Sequence, residues 1–229
     1  GGKSGRGGDV LYRWGNPFAY FAGTPADQKL FGQHDPHWIP AGLPGAGNIL
    51  IFNNGSHRDG RPFSSIEEIR PPLKADGTYQ LDADAPYGPE GSAWHYEDPS
   101  WLFSERVSGA QRLPNGNTLI CEGESGRVTE VSPQGRIVWD YQNPLGAADP
   151  NGPPGPGGPP GSAGRPNGAP GRQPPNDRFP PGAGPPDGAP GPGGGGPGPL
   201  NGAAMFRANR YAPDYPAFRG RDLNQTNQK

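Results

Sequence analysis

Short apolar runs bounded by turn-forming residues recur along the chain, and this pattern is typical of half-buried β-strands. The clearest run is residues 47–52, which ends at the turn signal Asn53-Asn54-Gly55. Aromatic and β-branched residues, which favour strands, fill most of the other runs. The pattern predicts strands at residues 9–14, 47–52, 63–70, 92–97, 118–121, 127–131, 136–141 and 205–211.

These predicted strands carry an internal repeat. Residues 12–17, 94–99 and 139–144 share aromatic positions followed by Asn or Asp and then Pro, and residues 45–51 match residues 114–120. The last two copies of the aromatic motif lie 45 residues apart, which is a spacing found between propeller blades. The sequence therefore predicts an all-β fold, a partial β-propeller with two recognisable blades, the end of a third, and a C-terminal strand and tail.

Glycine and proline divide the chain into segments. The sequence contains 41 Gly and 34 Pro, and most of the excess lies in one stretch that has almost nothing to bury. We expect a flexible lead-in, propeller blades, a disordered Gly/Pro-rich insertion, the C-terminal strand and tail of the propeller, and a disordered end. These segments are residues 1–8, 9–145, 146–200, 201–223 and 224–229.

Charge, cysteine content and the length of the apolar runs argue against several kinds of partner and structural feature. The formal net charge is −2 and Lys and Arg do not cluster, so the sequence does not indicate a nucleic-acid partner. The single Cys121 rules out an internal disulfide and a multi-cysteine metal cluster. No apolar run approaches the roughly 18 residues that a transmembrane helix needs. Because the chain begins without Met or a signal peptide, we expect a fragment of a longer protein.

A histidine-bearing stretch at residues 32–40 precedes the strand at 47–52 and is predicted to be a polar loop at its entrance. Together with Phe52-Asn53-Asn54-Gly55, the opening of the repeat at residues 113–117, and the segments 138–141 and 206–208, it resembles the arylsulfotransferase family. The resemblance covers roughly residues 9 to 145 and 203 to 223. The chain departs from the family pattern at Asn53, where the family more usually has Asp.

The resemblance implies a six-bladed β-propeller of which this chain is the C-terminal portion. Members move a sulfuryl group from a phenolic sulfate ester to a phenolic acceptor through a sulfated histidine, without a nucleotide sulfate donor. The resemblance places that histidine at His34, implies no cofactor and no metal, and indicates a periplasmic or secreted protein. The other active-site histidines and the arginine of the family lie on earlier blades and have no counterpart in this sequence.

Five further residues are candidates to support His34, each with a structural alternative. Asp35 is predicted either to orient the His34 imidazole or to start a turn before Pro36. His37 is predicted either to assist the reaction at His34 or to pack at the rim of the site. Arg207 and Arg112 hold an anionic group or form ion pairs between blades. Trp38 stacks a phenolic ring or packs within its blade. His34 itself has the alternative role of capping a turn through Asp35 or a backbone carbonyl.

Two other functions compete with the enzyme. A non-catalytic propeller that serves as a binding or assembly module would keep the blades without the chemistry, and the departure at Asn53 favours it. A quinone-dependent dehydrogenase propeller fits less well, because the chain has no adjacent cysteine pair and no acidic metal cluster. An imidazole that faces a cavity would favour the transferase, whereas one sealed against its own blade would favour the module.

Overall fold

Two antiparallel sheets of four strands each make up the protein in the computed structural model, which describes residues 5, 7–83, 85–146 and 202–221. In each sheet the strands follow chain order, so both are meanders. The strands are β1 (Gln33–Trp38), β2 (Ile49–Asn53), β3 (Ser65–Ile69), β4 (Trp94–Glu97), β5 (Gly109–Arg112), β6 (Thr118–Glu122), β7 (Arg127–Val131) and β8 (Ile137–Gln142). The all-β prediction is therefore confirmed.

The remaining regular structure consists of short 3₁₀ turns at Pro17–Tyr20, Pro25–Asp27, Pro144–Gly146 and Pro216–Phe218. Each begins with proline, whose fixed φ suits the first residue of such a turn. Within the described ranges, no helix has the length and hydrophobicity to cross a bilayer. The predicted insertion at 146–200, apart from its first residue, and the predicted disordered end at 224–229 lie outside those ranges.

The sequence repeat corresponds to the two sheets. The matched segments 45–51 and 114–120 lead into β2 and β6, which are the second strands of their sheets. The matched aromatic motifs that start at Trp94 and Trp139 form β4 and β8, the fourth strands. The described residues thus contain two successive copies of one four-stranded unit. They do not close into a barrel or a ring, so the propeller interpretation remains a prediction.

The main core lies between the two sheets, where β2 and β5 are neighbours. Phe52 from β2, Ile66 from β3 and Ile120 from β6 are fully buried there. Because a phenylalanine or isoleucine side chain contributes about 1.5–3 kcal/mol when fully buried, this shared cluster holds the two sheets together. The complete cluster is Ile39, Leu50, Phe52, Ile66, Tyr96, Leu102, Ala110, Ile120 and Val131.

Segments without strand structure cover the outer faces of the two sheets. On the first sheet, Tyr12 and Trp14 pack against a cluster of Leu30, Ile51 and Ile69. On the second, Met205 and Ala208 pack against a cluster of Leu113, Leu119, Cys121 and Val128. The protein is therefore layered, with a chain segment on each outer face and the shared core in the middle.

Two predicted strands are wrong. Residues 9–14 are not a strand, and side chains fix this segment: Tyr12 Oη and Trp14 Nε1 donate to the carbonyls of Gly88 and Pro89, each at 2.7 Å. Residues 205–211 are not a strand either. This segment exchanges isolated backbone hydrogen bonds with Gly123 and Ser108, which is too few contacts for a continuous ladder.

The matched aromatic residues of the two fourth strands differ in their packing. Trp94 stacks near Tyr96 and donates from Nε1 to the carbonyl of Pro133 at 3.0 Å, which ties β4 to the second sheet. Their counterparts Trp139 and Tyr141 are 42% and 43% exposed. Both strands lie at the edge of their sheets, but Tyr96 of β4 is buried in the shared core, whereas β8 is exposed along its whole length.

Candidate functional site

The histidine-bearing stretch is a strand and not the predicted loop. β1 pairs antiparallel with β2, with His34 opposite Phe52 and His37 opposite Leu50. Between these pairs the register shifts, and Asp35 adopts a left-handed φ of 53°. A bulge of this kind redirects side chains and leaves the extra residues unpaired. Pro36 fits there because β1 is an edge strand and the proline needs no ladder donor.

The His34 imidazole is partly buried, and its tautomer follows from its neighbour Asn54. His34 Nδ1 lies 2.7 Å from Asn54 Oδ1. The amide nitrogen of Asn54 donates to the carbonyl oxygens of Ser104 at 2.9 Å and Val107 at 3.2 Å. Carbonyl oxygens only accept, so these two bonds fix which end of the amide is nitrogen and leave Oδ1 facing the imidazole. His34 Nδ1 therefore carries the proton, and in the neutral ring Nε2 keeps its lone pair.

Asn54 is itself fully buried. It lies in the turn that follows β2, and its two carbonyl partners belong to residues 104–108, the loop that leads into β5. In that loop Val107 and Ser108 both have left-handed φ values, 54° and 82°. Such conformations cost on the order of 1–3 kcal/mol each in residues other than glycine and concentrate at functional sites. The strained loop and the bulge in β1 thus meet at one buried amide.

Asp35 does not orient His34. Its Oδ1 accepts from Arg207 Nη1 at 2.7 Å, and its Oδ2 lies against Gly109, where an added Cβ would come within 2.5 Å. Its backbone carbonyl lies 2.7 Å from His37 Nδ1, which must therefore be a donor. The structure thus brings Asp35, His37 and Arg207 together, and the orienting role predicted for Asp35 belongs to Asn54.

Arg112 is buried in the interior. It is 5% exposed, forms an ion pair with Glu68 and donates from Nη1 to the carbonyl of Gly116 at 3.0 Å. Its guanidinium also lies 4.9 Å from the centre of the Trp94 ring. These contacts match the structural alternative given for Arg112, an ion pair between the two sheets.

Trp38 ends β1 and is 50% exposed, so one side of its ring is available to a ligand. His57 is exposed, and Cys121 is buried. His95 forms a cross-strand pair: it lies opposite Glu67, and its Nδ1 is 3.0 Å from Glu67 Oε2. This hydrogen bond to Glu67 is the largest cause of a raised His95 pKa.

Two cavities lie elsewhere on the described part of the protein. A cavity of about 1150 Å³ is lined by residues that include Leu11, Tyr79 and Tyr87, and a second of about 390 Å³ borders Trp14 and Tyr87. Neither of these two cavities has His34, Asp35 or His37 in its lining. Among the described residues, no group of three or more His, Cys, Asp and Glu side chains has the arrangement of a metal site.

Comparison with known proteins adds no assignment: no family model, no curated protein and no solved structure matches this chain.

Sequence reasoning missed Asn54 as a site residue. In the sequence Asn53-Asn54-Gly55 is a turn signal, and nothing local distinguishes Asn54 from an ordinary turn residue. Its role depends on Ser104 and Val107, which lie about fifty positions further along the chain. The one available signal was its place in Phe52-Asn53-Asn54-Gly55, one of the segments that carry the family resemblance.

Proposed function

We propose that this protein transfers a sulfuryl group from a phenolic sulfate ester to a phenolic acceptor, with His34 Nε2 as the nucleophile. The observation that carries the proposal is the hydrogen bond from His34 Nδ1 to Asn54 Oδ1 at 2.7 Å. A histidine acts as a nucleophile only through an unprotonated ring nitrogen, and its other nitrogen is normally held by an acceptor. Asn54 supplies that acceptor and is buried enough to hold it still.

The proposed reaction has two displacements. In the first, the Nε2 lone pair attacks sulfur, the bond between sulfur and the aryl oxygen breaks, and the phenolate leaves and takes up a proton. In the second, the acceptor phenol loses a proton and its oxygen attacks sulfur, so that the bond from sulfur to Nε2 breaks. Nδ1 keeps its proton throughout, and Asn54 Oδ1 stabilises the positive charge that the ring gains while Nε2 is bonded to sulfur.

Arg207 is the cation proposed to stabilise the sulfuryl oxygens. Its pairing with Asp35 attaches it to the residue that follows the nucleophile in the sequence. A guanidinium has five N–H donors, so one bond to Asp35 leaves others for an anion. Trp38, half exposed at the end of the same strand, is proposed to stack the phenolic ring.

The fold that we propose around this site is part of a β-propeller, with the two sheets as adjacent blades. Two observations support it: the sequence repeat matches the second and the fourth strands of the two sheets, and one apolar cluster is shared between the sheets. In this arrangement Trp139 and Tyr141 occupy the positions through which Trp94 and Tyr96 hold the next blade.

The test is transfer of sulfate from a chromogenic aryl sulfate to phenol by the protein at its natural length. We expect turnover in the wild type and its loss in His34→Ala. His57→Ala is the matched control, because it removes an exposed imidazole from a polar turn and should leave turnover unchanged. Equal turnover in His34→Ala and the wild type would remove His34 from the mechanism.

A second candidate, a non-catalytic binding or assembly module, is favoured by one observation. Neither of the two cavities is lined by His34, whereas the larger one is lined by tyrosine and aliphatic side chains together with Asp9, Lys74 and Asp76. The same experiment separates the candidates, because a module shows no turnover with any aryl sulfate, and His34→Ala leaves its partner binding intact.

A further inference from the structure

We propose that Glu124, in the turn after β6 of the second sheet, positions His34 on the first sheet by holding the loop of residues 104–108. The inference deepens the proposed function, since the orientation of His34 matters for catalysis only if His34 is the nucleophile. Its structural part, the control of the His34 tautomer by Glu124, is measured without any reaction.

The first link is between the loop and Asn54. The loop offers two backbone carbonyls, from Ser104 and Val107, to a single buried amide. If the loop moved, one or both of these acceptors would be lost, and a buried donor left without a partner costs about 1–3 kcal/mol. Rotation of the Asn54 amide would then bring its nitrogen to face His34. The loop carbonyls therefore determine which atom of Asn54 the imidazole meets.

The second link is between Glu124 and the loop. Glu124 Oε2 accepts from the backbone nitrogen of Glu105 at 2.6 Å, and Oε1 accepts from Arg106 Nε at 3.0 Å. The backbone nitrogen of Glu124 also donates to Ser104 Oγ at 3.3 Å. One residue thus contacts three consecutive residues of the loop. Hydrogen bonds to a carboxylate are stronger than neutral ones, so this clamp restrains the loop from the side of the second sheet.

The loop needs such a restraint because its backbone is strained. Val107 and Ser108 hold left-handed conformations that a free loop would leave. Ser64 Oγ accepts from the Ser104 nitrogen at 3.0 Å, which fixes the start of the loop from the first sheet. Glu124 fixes it from the second sheet. Because the loop is held from both sheets, the His34 tautomer depends on the two sheets keeping their relative position at residues 104–108.

The experiment reads the protonated nitrogen of His34 by long-range ¹H–¹⁵N correlation spectra at about pH 8, above the ordinary histidine pKa of roughly 6.5. Loss of the His34 signals in His34→Gln assigns them. We expect Nδ1–H alone in the wild type and a mixture of both tautomers in Glu124→Ala. Glu124→Gln, which keeps an acceptor for the Glu105 nitrogen, should fall between the two.

Glu105→Gln is the matched control. It neutralises an exposed carboxylate on the same loop, for which the described structure shows no side-chain hydrogen bond, and should leave the Nδ1–H tautomer alone. An unchanged tautomer in Glu124→Ala, in a variant that remains folded, would overturn the proposal. A changed tautomer without loss of transfer would leave the positioning intact and count against the proposed function instead.

Discussion

Replacing Glu122 by glutamine removes an ionisable group from the interior while keeping its shape. The side chain is 4% exposed at the end of β6, where it accepts hydrogen bonds from the hydroxyl and backbone nitrogen of Ser125. The pKa of Glu122 is raised from 4.5 to about 7, chiefly by burial; the negative charge of Glu124 acts in the same direction and the backbone hydrogen bond from Ser125 in the opposite one. The folded protein therefore keeps a proton on this group at a pH where the unfolded chain has lost it.

The magnitude follows from linkage. A carboxyl whose pKa is higher in the folded state stabilises the fold at low pH, and this stability is lost as the pH rises from the unfolded to the folded value. Each pKa unit is worth about 1.4 kcal/mol, so the difference between 4.5 and about 7 amounts to about 3 kcal/mol. We expect wild type and Glu122→Gln to be equally stable near pH 4, and the variant to be more stable by up to about 3 kcal/mol near pH 8.

Urea unfolding at both pH values, followed by tryptophan fluorescence, measures the difference. Glu105→Gln, which removes an exposed carboxylate nearby, is the control and should change stability by less than about 0.5 kcal/mol at either pH. An advantage of Glu122→Gln that does not grow between pH 4 and about pH 8 would refute the account of burial at this position.

Three further predictions concern other positions. The hydrogen bond with Glu67 raises the pKa of His95, so its contribution to stability is present at low pH and is lost as the pH rises through the folded pKa. In urea unfolding, His95→Gln should therefore destabilise the protein below about pH 6 and be neutral near pH 9. The loss should be under ~1 kcal/mol, because the imidazole is half exposed. Gly109→Ala, whose Cβ would lie 2.5 Å from Asp35 Oδ2, should cost about 1–3 kcal/mol in the same assay, whereas Gly91→Ala, with open space around it, should cost less than about 1; equal costs would contradict the close approach of Asp35. Burial raises the pKa of Cys121 to about 11, so a thiol reagent should leave the folded protein unmodified and react at once after unfolding; rapid reaction of the folded protein would show that Cys121 is accessible.

The parts of the fold that the sequence predicted are those set by local pattern. β7 begins and ends where predicted, and β6 differs by one residue, because apolar runs between Asn-Gly and Pro-Gln-Gly turns define both strands without help from distant residues. β1 was not predicted, because its polar sequence with Pro36 has no alternation. It is a strand only because β2 offers a partner, and tertiary context of this kind overrides intrinsic preference.

In the candidate site, too, sequence context identified one residue, and distant contacts determine the others. His34 was identified from its sequence context, and its participation in a reaction remains a prediction. The residues that orient it were not identifiable, because Asn54, Ser104 and Val107 come together only through contacts between the two sheets. Aromatic residues at 9–14 and at Trp139 likewise indicated strands packed against a neighbour. The sequence does not show whether that neighbouring strand is present.

The most direct test of the central claim is to trap the protein during transfer. After mixing with an aryl sulfate and rapid quenching at alkaline pH, peptide mass spectrometry locates any sulfonated side chain. The account predicts a sulfonate on His34 that disappears when phenol is added. Transfer that proceeds with His34 unmodified, or with the sulfonate on another residue, would contradict it.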